Sequence, residues 1–388
     1  MVPIDSGSYN MDGLLRFADV LAQDFACLGF PQERHELASW ESVNDTGTME
    51  THRTGPALVW RIRPAASRQV LLLIHYDTVY PPGAGKTVKQ QTERLIAPGA
   101  ADAKGGIAVI LATLKGLLQF QLARDVGCIV VLNPDEEVGL PASRGFLQSL
   151  IPDVDFAMLF EPALPDGSWV ADRKGSGNWS VVVHGRAAHA GRNPESGRNA
   201  VVHAAEFVTA LDQLNDPTRG RSLNVARFIG GGPLNRVPDL ATVHWNVRIG
   251  EPADQALLEQ RFADLAESFS QDGYRCQLRG GFHAPVKKAD PPTTRLRQLI
   301  EDAARQLGRQ VRWQNTGGAC DGNHLAAAGL PNVDSLGVTG GDLHSPTEYA
   351  ELSSIVPAAL TALRVLCDFY ANPSGWPLRQ HRENQTST

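Results

Sequence analysis

The sequence predicts an α/β protein: a larger body with a mixed central sheet flanked by helices, interrupted by a smaller α+β sandwich. Three observations predict it. Apolar runs at 70–74, 126–132 and 156–160 read as strands buried on both faces, and helical patterns separate them. From 174 to 283 the order becomes strand, helix, strand, strand, helix, strand, which implies a separate antiparallel-rich sheet. After that the first pattern returns. We therefore expect a larger body built from 1–173 and 284–372, an inserted body at 174–283, and a polar, disordered tail at 373–388.

The elements follow in order. Residues 11–28 place Leu14, Leu15, Phe17, Ala18, Leu21 and Phe25 at near-helical spacing, and Gly29 ends the helix. Residues 57–62 and 70–74 read as strands. The polar, turn-rich stretch 81–98 reads as a surface loop. Gly105-Gly106 opens a helix at 107–118. A strand follows at 126–132, a helix opens near 141–146, and a strand runs over 156–160. In the insertion, 179–183, 224–229, 241–249 and 274–278 read as strands, and 197–211 and 252–269 as helices. The last part offers helices at 294–307, 325–328 and 353–370, and a strand at 333–336.

Composition bounds the function. The chain has 388 residues, 42% hydrophobic and 20% charged, with net charge -6 and both signs interspersed. No basic run suggests a nucleic-acid partner, and no apolar run approaches a membrane span. Residues 1–10 lack a basic stretch and an apolar stretch, so we expect no export signal and a cytoplasmic location. The five cysteines (Cys27, Cys128, Cys276, Cys320 and Cys367) are scattered, which argues against a disulfide framework and a thiolate metal site.

The chemistry gathers at strand ends, where open α/β sheets place their ligands. Leu73-Ile74-His75-Tyr76-Asp77 puts His75 and Asp77 on one side of a strand, so Asp77 can fix the His75 ring. Asp102 precedes the Gly105-Gly106 helix; an N-cap is the plainer reading for it. Asp135-Glu136-Glu137 crowds three carboxylates at one strand end, which is either a solvated acidic turn or a cation site. Glu161 closes the next strand. Imidazoles and carboxylates without thiolates suit a divalent ion, and their number suits two. Of the adjacent pair Glu136 and Glu137, one can ligate while the other moves a proton.

With these motifs, and with 185–191 around His189 and His344-Ser345-Pro346-Thr347-Glu348-Tyr349 further on, the chain resembles the co-catalytic zinc peptidases. That family includes glutamate carboxypeptidases, acetylornithine and succinyl-diaminopimelate deacylases, and aminoacylase-type enzymes. The likeness runs from about residue 11 to 370. It implies a zinc-peptidase-type catalytic domain with an inserted dimerisation (lid) domain. It also implies two Zn2+ per subunit, or Co2+ or Mn2+ in their place. Asp102 would bridge them, His75 and Glu161 would hold one, and Glu137 and His344 the other. Glu136 would be the general base and Asp77 the residue that orients His75. A cis peptide after Asp102 is a further family trait.

The resemblance also implies a homodimer paired through the insertion. His189 would then polarise the scissile carbonyl, in several members from the neighbouring subunit. Asn235, Arg248 and Gly318 match substrate-binding positions, and Lys174 is a weaker match that a solvated strand charge explains as well. Within the family the chain looks most similar to the glutamate carboxypeptidase branch, a resemblance that implies release of a C-terminal glutamate-like residue from a peptidyl or N-acyl substrate. Cys320-Asp321, where that branch more often has Thr-Asp, departs from it. An N-acyl-amino-acid deacylase is the alternative, and a non-catalytic metal-binding protein a remote one.

Overall fold

The computed structural model describes residue 1 and residues 3–83 and 88–379. Its central sheet has six strands in the order Glu33–His35, Ala57–Ile62, Val126–Asn133, Arg68–His75, Phe156–Leu159, Asn332–Val333. The first two pairings are antiparallel and the remaining three parallel, so the sheet is mixed. Arg68–His75 and Val126–Asn133 lie at its centre. Their side chains alternate between two cores, as a pleated strand requires. Val70, Leu72 and Ile74 join the helices Met11–Phe25, Gly106–Gln119, Pro291–Gln306 and Ile355–Ala371. Leu71 and Leu73 join Leu147 of Arg144–Ser149 and Leu325 of Asp321–Ala327.

The second sheet is wholly antiparallel, in the order Ser222–Gly230, Leu240–Ile249, Gly175–His184, Arg275–Ala284. Helices Ala200–Asp212 and Ala253–Ser268 cover one face, packing Phe207 and Phe262 on Trp179 and Trp245. Among the described residues, the buried members of this core lie between 179 and 276, and those of the other two cores lie outside that range.

The chain crosses between the two bodies twice, at Arg173 and Lys287. The crossings form one antiparallel bridge, each residue's N–H donating to the other's carbonyl at 3.0 Å. Beside it, Asp334 is fully buried and accepts from Arg173 Nη2 at 2.7 Å and from Lys287 Nζ at 2.6 Å. Burial pushes the Asp334 carboxyl up, but Arg173 and Lys287 outweigh it and hold the group well below the usual carboxylate range.

Several elements differ from expectation. Within 81–98 lies a hairpin, Lys89–Gln91 with Arg94–Ile96, that pairs with Tyr349–Glu351 and carries the His344 turn beside the Asp102 loop. Glu33–His35, the hairpin Trp40–Val43 with Met49–His52, and the parallel pair Trp169–Arg173 with Trp313–Thr316 are further strands. The expected strand at 333–336 is only Asn332–Val333. Residues 373–379 are not simply a polar tail. Trp376 is buried, with its ring centroid 5.3 Å from Phe156 and 5.2 Å from Phe369. The expected disorder at 380–388 lies outside the described residues. Among the described residues, one helical stretch, Leu352–Ala371, is long and apolar enough by length and composition to cross a membrane. Here Ala358, Ala362, Val365 and Phe369 pack it into the core as an interior helix.

Candidate metal centre

Six acid or imidazole groups meet at the carboxyl ends of the central strands. His75 ends its strand, Glu136 and Glu137 form a short 3-10 turn after Val126–Asn133, and Glu161 follows Phe156–Leu159. Asp102 lies in the turn Ala100–Gly105 before the next helix, with a cis Asp102–Ala103 peptide. His344 sits at φ 62 in the turn after Gly340–Gly341. One ligand atom from each of His75, Asp102 and Glu137 can be chosen so that all three lie within 4.8 Å of one another.

The two oxygens of Asp102 face different partners. Oδ1 is 3.0 Å from His75 Nε2, which is 3.9 Å from Glu161 Oε2. Oδ2 is 3.4 Å from His344 Nε2, which is 3.2 Å from Glu137 Oε2. Asp77 stands behind them. Its backbone carbonyl is 3.1 Å and its Oδ1 3.3 Å from His75 Nδ1. Its carboxylate also accepts the backbone N–H groups of Glu136 and Glu137, both at 3.2 Å, and the Ser8 hydroxyl at 2.7 Å. Asp77 thus aims both the imidazole and the acidic turn.

The electrostatics match a cation site. Burial, and after it the Asp102 charge, pushes Glu137 up to about 7. Burial likewise lifts Glu161 to about 7, with the Asp102 charge adding to it and His75 opposing. Glu136 is driven well above the carboxylate range, chiefly by burial. Hydrogen bonds to Asp102 and Glu137 raise His344 to about 10. Burial works against the Asp102 charge, yet His344 and His75 hold that carboxyl below its usual range. Glu161 Oε1 is buried without a hydrogen-bond partner. Crowded acids, an orphaned carboxylate oxygen and two imidazoles are a donor set that fits divalent ions and is relieved by them.

Of the remaining expected residues, Arg248, His189, Asn235 and Lys174 lie on the inserted body and Gly318 on the larger one. Arg248 is half-buried, donates to Asn246 Oδ1 at 3.0 Å and is within electrostatic reach of Glu136. His189 is exposed and bridges to Arg236, and Gly191 N–H donates to its Nδ1 at 3.1 Å. The Asn235 carbonyl accepts from Ala190 N–H. The Gly318 carbonyl is held by Arg173 at 3.2 Å. Lys174 lies against Gly220. The structure brings His75, Asp77, Asp102, Glu136, Glu137, Glu161 and His344 together. Among the described residues, His189, Asn235, Gly318 and Lys174 make no hydrogen bond or ion pair with that cluster. A cleft of about 790 Å³ opens beside Glu137, between the hairpin of Trp40–Val43 with Met49–His52 and the polar face of the inserted sheet, with Asn178, Arg279 and His283.

Three buried acids and their partners escaped the sequence. Glu348 belongs to the His344 motif, but nothing in its spacing says that it is buried. Asp334 joins Arg173, 161 residues away in sequence, and Lys287, 47 residues away. Asp321 is fully buried with Oδ2 unpartnered, and only its place next to Cys320 marked it.

An α/β body that gathers imidazoles and carboxylates at its strand ends, beneath an inserted α+β body, defines a metal-dependent hydrolase. The chain belongs to peptidase family M20/M25/M40, whose description matches residues 71–368. It is 31% identical to carboxypeptidase G2 of Pseudomonas sp. (strain RS-16) over 96% of this chain and 88% of that one. It is 28% identical to acetylornithine deacetylase of Proteus mirabilis (strain HI4320), over 74% of this chain and 76% of the other. The M20 family metallo-carboxypeptidase Sso-CP2 of Sulfolobus solfataricus shares the fold, with TM-score 0.76 at 16% identity over 96% and 98% of the two chains. The family is metal-dependent, and the protein is a hydrolytic enzyme of metallopeptidase or amidohydrolase type.

Proposed function

We propose that the chain is a dinuclear metal hydrolase that releases a C-terminal glutamate-like residue from a peptidyl or N-acyl substrate. The observation that carries this is Asp102, whose two oxygens face His75 and His344 separately. His75 and Glu161 would hold one Zn2+, Glu137 and His344 the other, with Asp102 shared; Co2+ or Mn2+ could replace them. When bound, such ions polarise the scissile carbonyl and acidify the attacking water. Glu136 then takes the proton from that water and hands it to the leaving nitrogen. Arg248 supplies a guanidinium for the substrate carboxylate, a planar match for two oxygens. Asn235, Gly318 and Lys174 are the weaker substrate contacts. Likeness to carboxypeptidase G2 over almost the whole chain supports this branch.

A second reading, N-acyl-amino-acid deacylation, is favoured by the likeness to acetylornithine deacetylase. The test is a panel of N-acyl-glutamates, dipeptides and N-acetyl-ornithine, ranked by kcat/KM, before and after stripping the metal. Glutamate conjugates should rank first and a chelator should abolish turnover; activity that survives chelation refutes the metal reading.

The substrate-bearing form would be a homodimer. The inserted sheet has Ser222–Gly230 as an edge strand, and Val202 and Phe228 are exposed nearby. The exposed His189 would reach the partner subunit's cleft. Cytoplasmic placement rests on the cysteines, all free in the structure, as in a reducing compartment.

A further inference from the structure

Glu348 is fully buried and sits at the far end of the turn that carries His344. That turn is closed by Ser345 N–H on the Asp342 carbonyl and by Glu348 N–H on the Ser345 carbonyl. The Glu348 side chain leaves its own turn and enters the Asp102 loop. Its Oε1 accepts the backbone N–H groups of Ala101 and Asp102, both at 3.0 Å. Its Oε2 accepts Gly99 N–H at 3.1 Å. The Tyr80 hydroxyl, from the segment that follows Asp77, lies 2.7 Å from Oε2 and 2.8 Å from the Ser345 carbonyl. Hydrogen bonds to a charged acceptor are the stronger kind, and a carboxylate can take several at once.

One carboxylate therefore ties together three segments distant in sequence, and those segments bear His75 and Asp77, Asp102, and His344. We infer that Glu348 is a positioning residue: it holds the Asp102 backbone and the His344 turn at the separation that lets Asp102 present one oxygen to each side. The inference rests on the two-metal reading above. It adds that the spacing of the two halves is set by a residue that ligates neither.

Glutamine at 348 keeps the volume but puts an NH2 donor against backbone N–H donors, so one side of the clamp is broken. Full-length apoprotein is titrated with Zn2+ against a chromophoric chelator. Wild type should take up two equivalents. Glu348→Gln should bind zinc 10- to 100-fold more weakly, the usual cost of losing a group that orients a ligand. Its Co2+ form should show an altered visible spectrum, and kcat should fall with KM little changed. Tyr80→Phe removes one of the four contacts and should weaken zinc a few-fold. A Glu348→Gln protein with lowered thermal stability but wild-type zinc affinity and Co2+ spectrum overturns the inference. Should that variant fail to fold, Tyr80→Phe decides: wild-type zinc affinity in it overturns the inference equally. Wild type that takes up no zinc refutes the two-metal reading itself, a result distinct from either variant's failure.

Discussion

Replacing Asp334 with Asn tests whether the crossing between the two bodies is held by charge. Asp334 accepts Arg173 Nε at 3.0 Å, Arg173 Nη2 at 2.7 Å and Lys287 Nζ at 2.6 Å, and the Ser335 hydroxyl at 2.8 Å. Asp334 is 0% exposed and Lys287 1%. The amide has nearly the same shape but no charge, so two cations would remain desolvated with one neutral acceptor between them. Breaking a buried pair in this way costs about 3–5 kcal/mol, against about 0–1 kcal/mol for a solvated one. The assay is urea unfolding of the full chain, comparing midpoints of the transition at matched slope. A loss below about 1 kcal/mol would refute the reasoning, because the site would then behave as though water reached it. A second arm, Asp334→Asn with Lys287→Met, should recover part of the loss by removing one stranded charge. The acid limb carries a sign as well. Because the folded carboxyl titrates below the unfolded one, its stabilisation is complete above about pH 4 and fades as pH falls further.

Glu136→Gln should lower kcat by roughly 10²–10⁴-fold while zinc still binds; a rate within a few-fold of wild type would remove Glu136 from the proton path. Mixed His189→Ala and Glu136→Gln chains should regain activity once subunits exchange, since one of the two cleft types would be complete; no recovery after confirmed exchange argues against action across subunits. Burial, then Arg248 for His283 and Arg144 for His324, lowers both histidines to about 4. The unfolded chain takes up these protons near 6.5 and the folded chain only near 4. Stability should therefore drop as pH falls through that window, by up to about 3 kcal/mol per histidine. The His283→Asn, His324→Asn double variant should show a shallower fall, and an unchanged slope would disprove the linkage. Trp376→Ala should cost about 3–5 kcal/mol by emptying the slot against Phe156 and Phe369, readable as a lowered urea midpoint. A midpoint near wild type would mean the segment is not docked in solution.

The sequence announced those parts of the fold whose signal is local. Apolar runs such as Leu71–Ile74 mark strands buried on both faces, and the spacing of Leu14, Phe17, Leu21 and Phe25 marks a helix. Trp40–Val43, Met49–His52 and Lys89–Gln91 carry no such mark: they are short and largely polar, and their partners define them. The same division runs through the site. His75, Glu137 and Glu161 were visible because each follows an apolar strand. Glu348, Asp334 and Lys287 were not, because burial of a charge depends on partners brought in from elsewhere in the chain. Trp376 was hidden by polar neighbours, which made one anchoring ring look like part of a tail.

The bridge between Arg173 and Lys287 brings the two ends of the insertion together, as in a cassette. The polypeptide departs and comes back through adjacent positions, and none of the six strands of the central sheet lies between them in sequence. Among the described residues, neither hydrophobic interior borrows a buried side chain from the other. A guest of different size or surface could occupy that doorway and leave the strand ends that gather the acids and imidazoles in register, so what is presented to substrates can diversify while the machinery beneath stays the same.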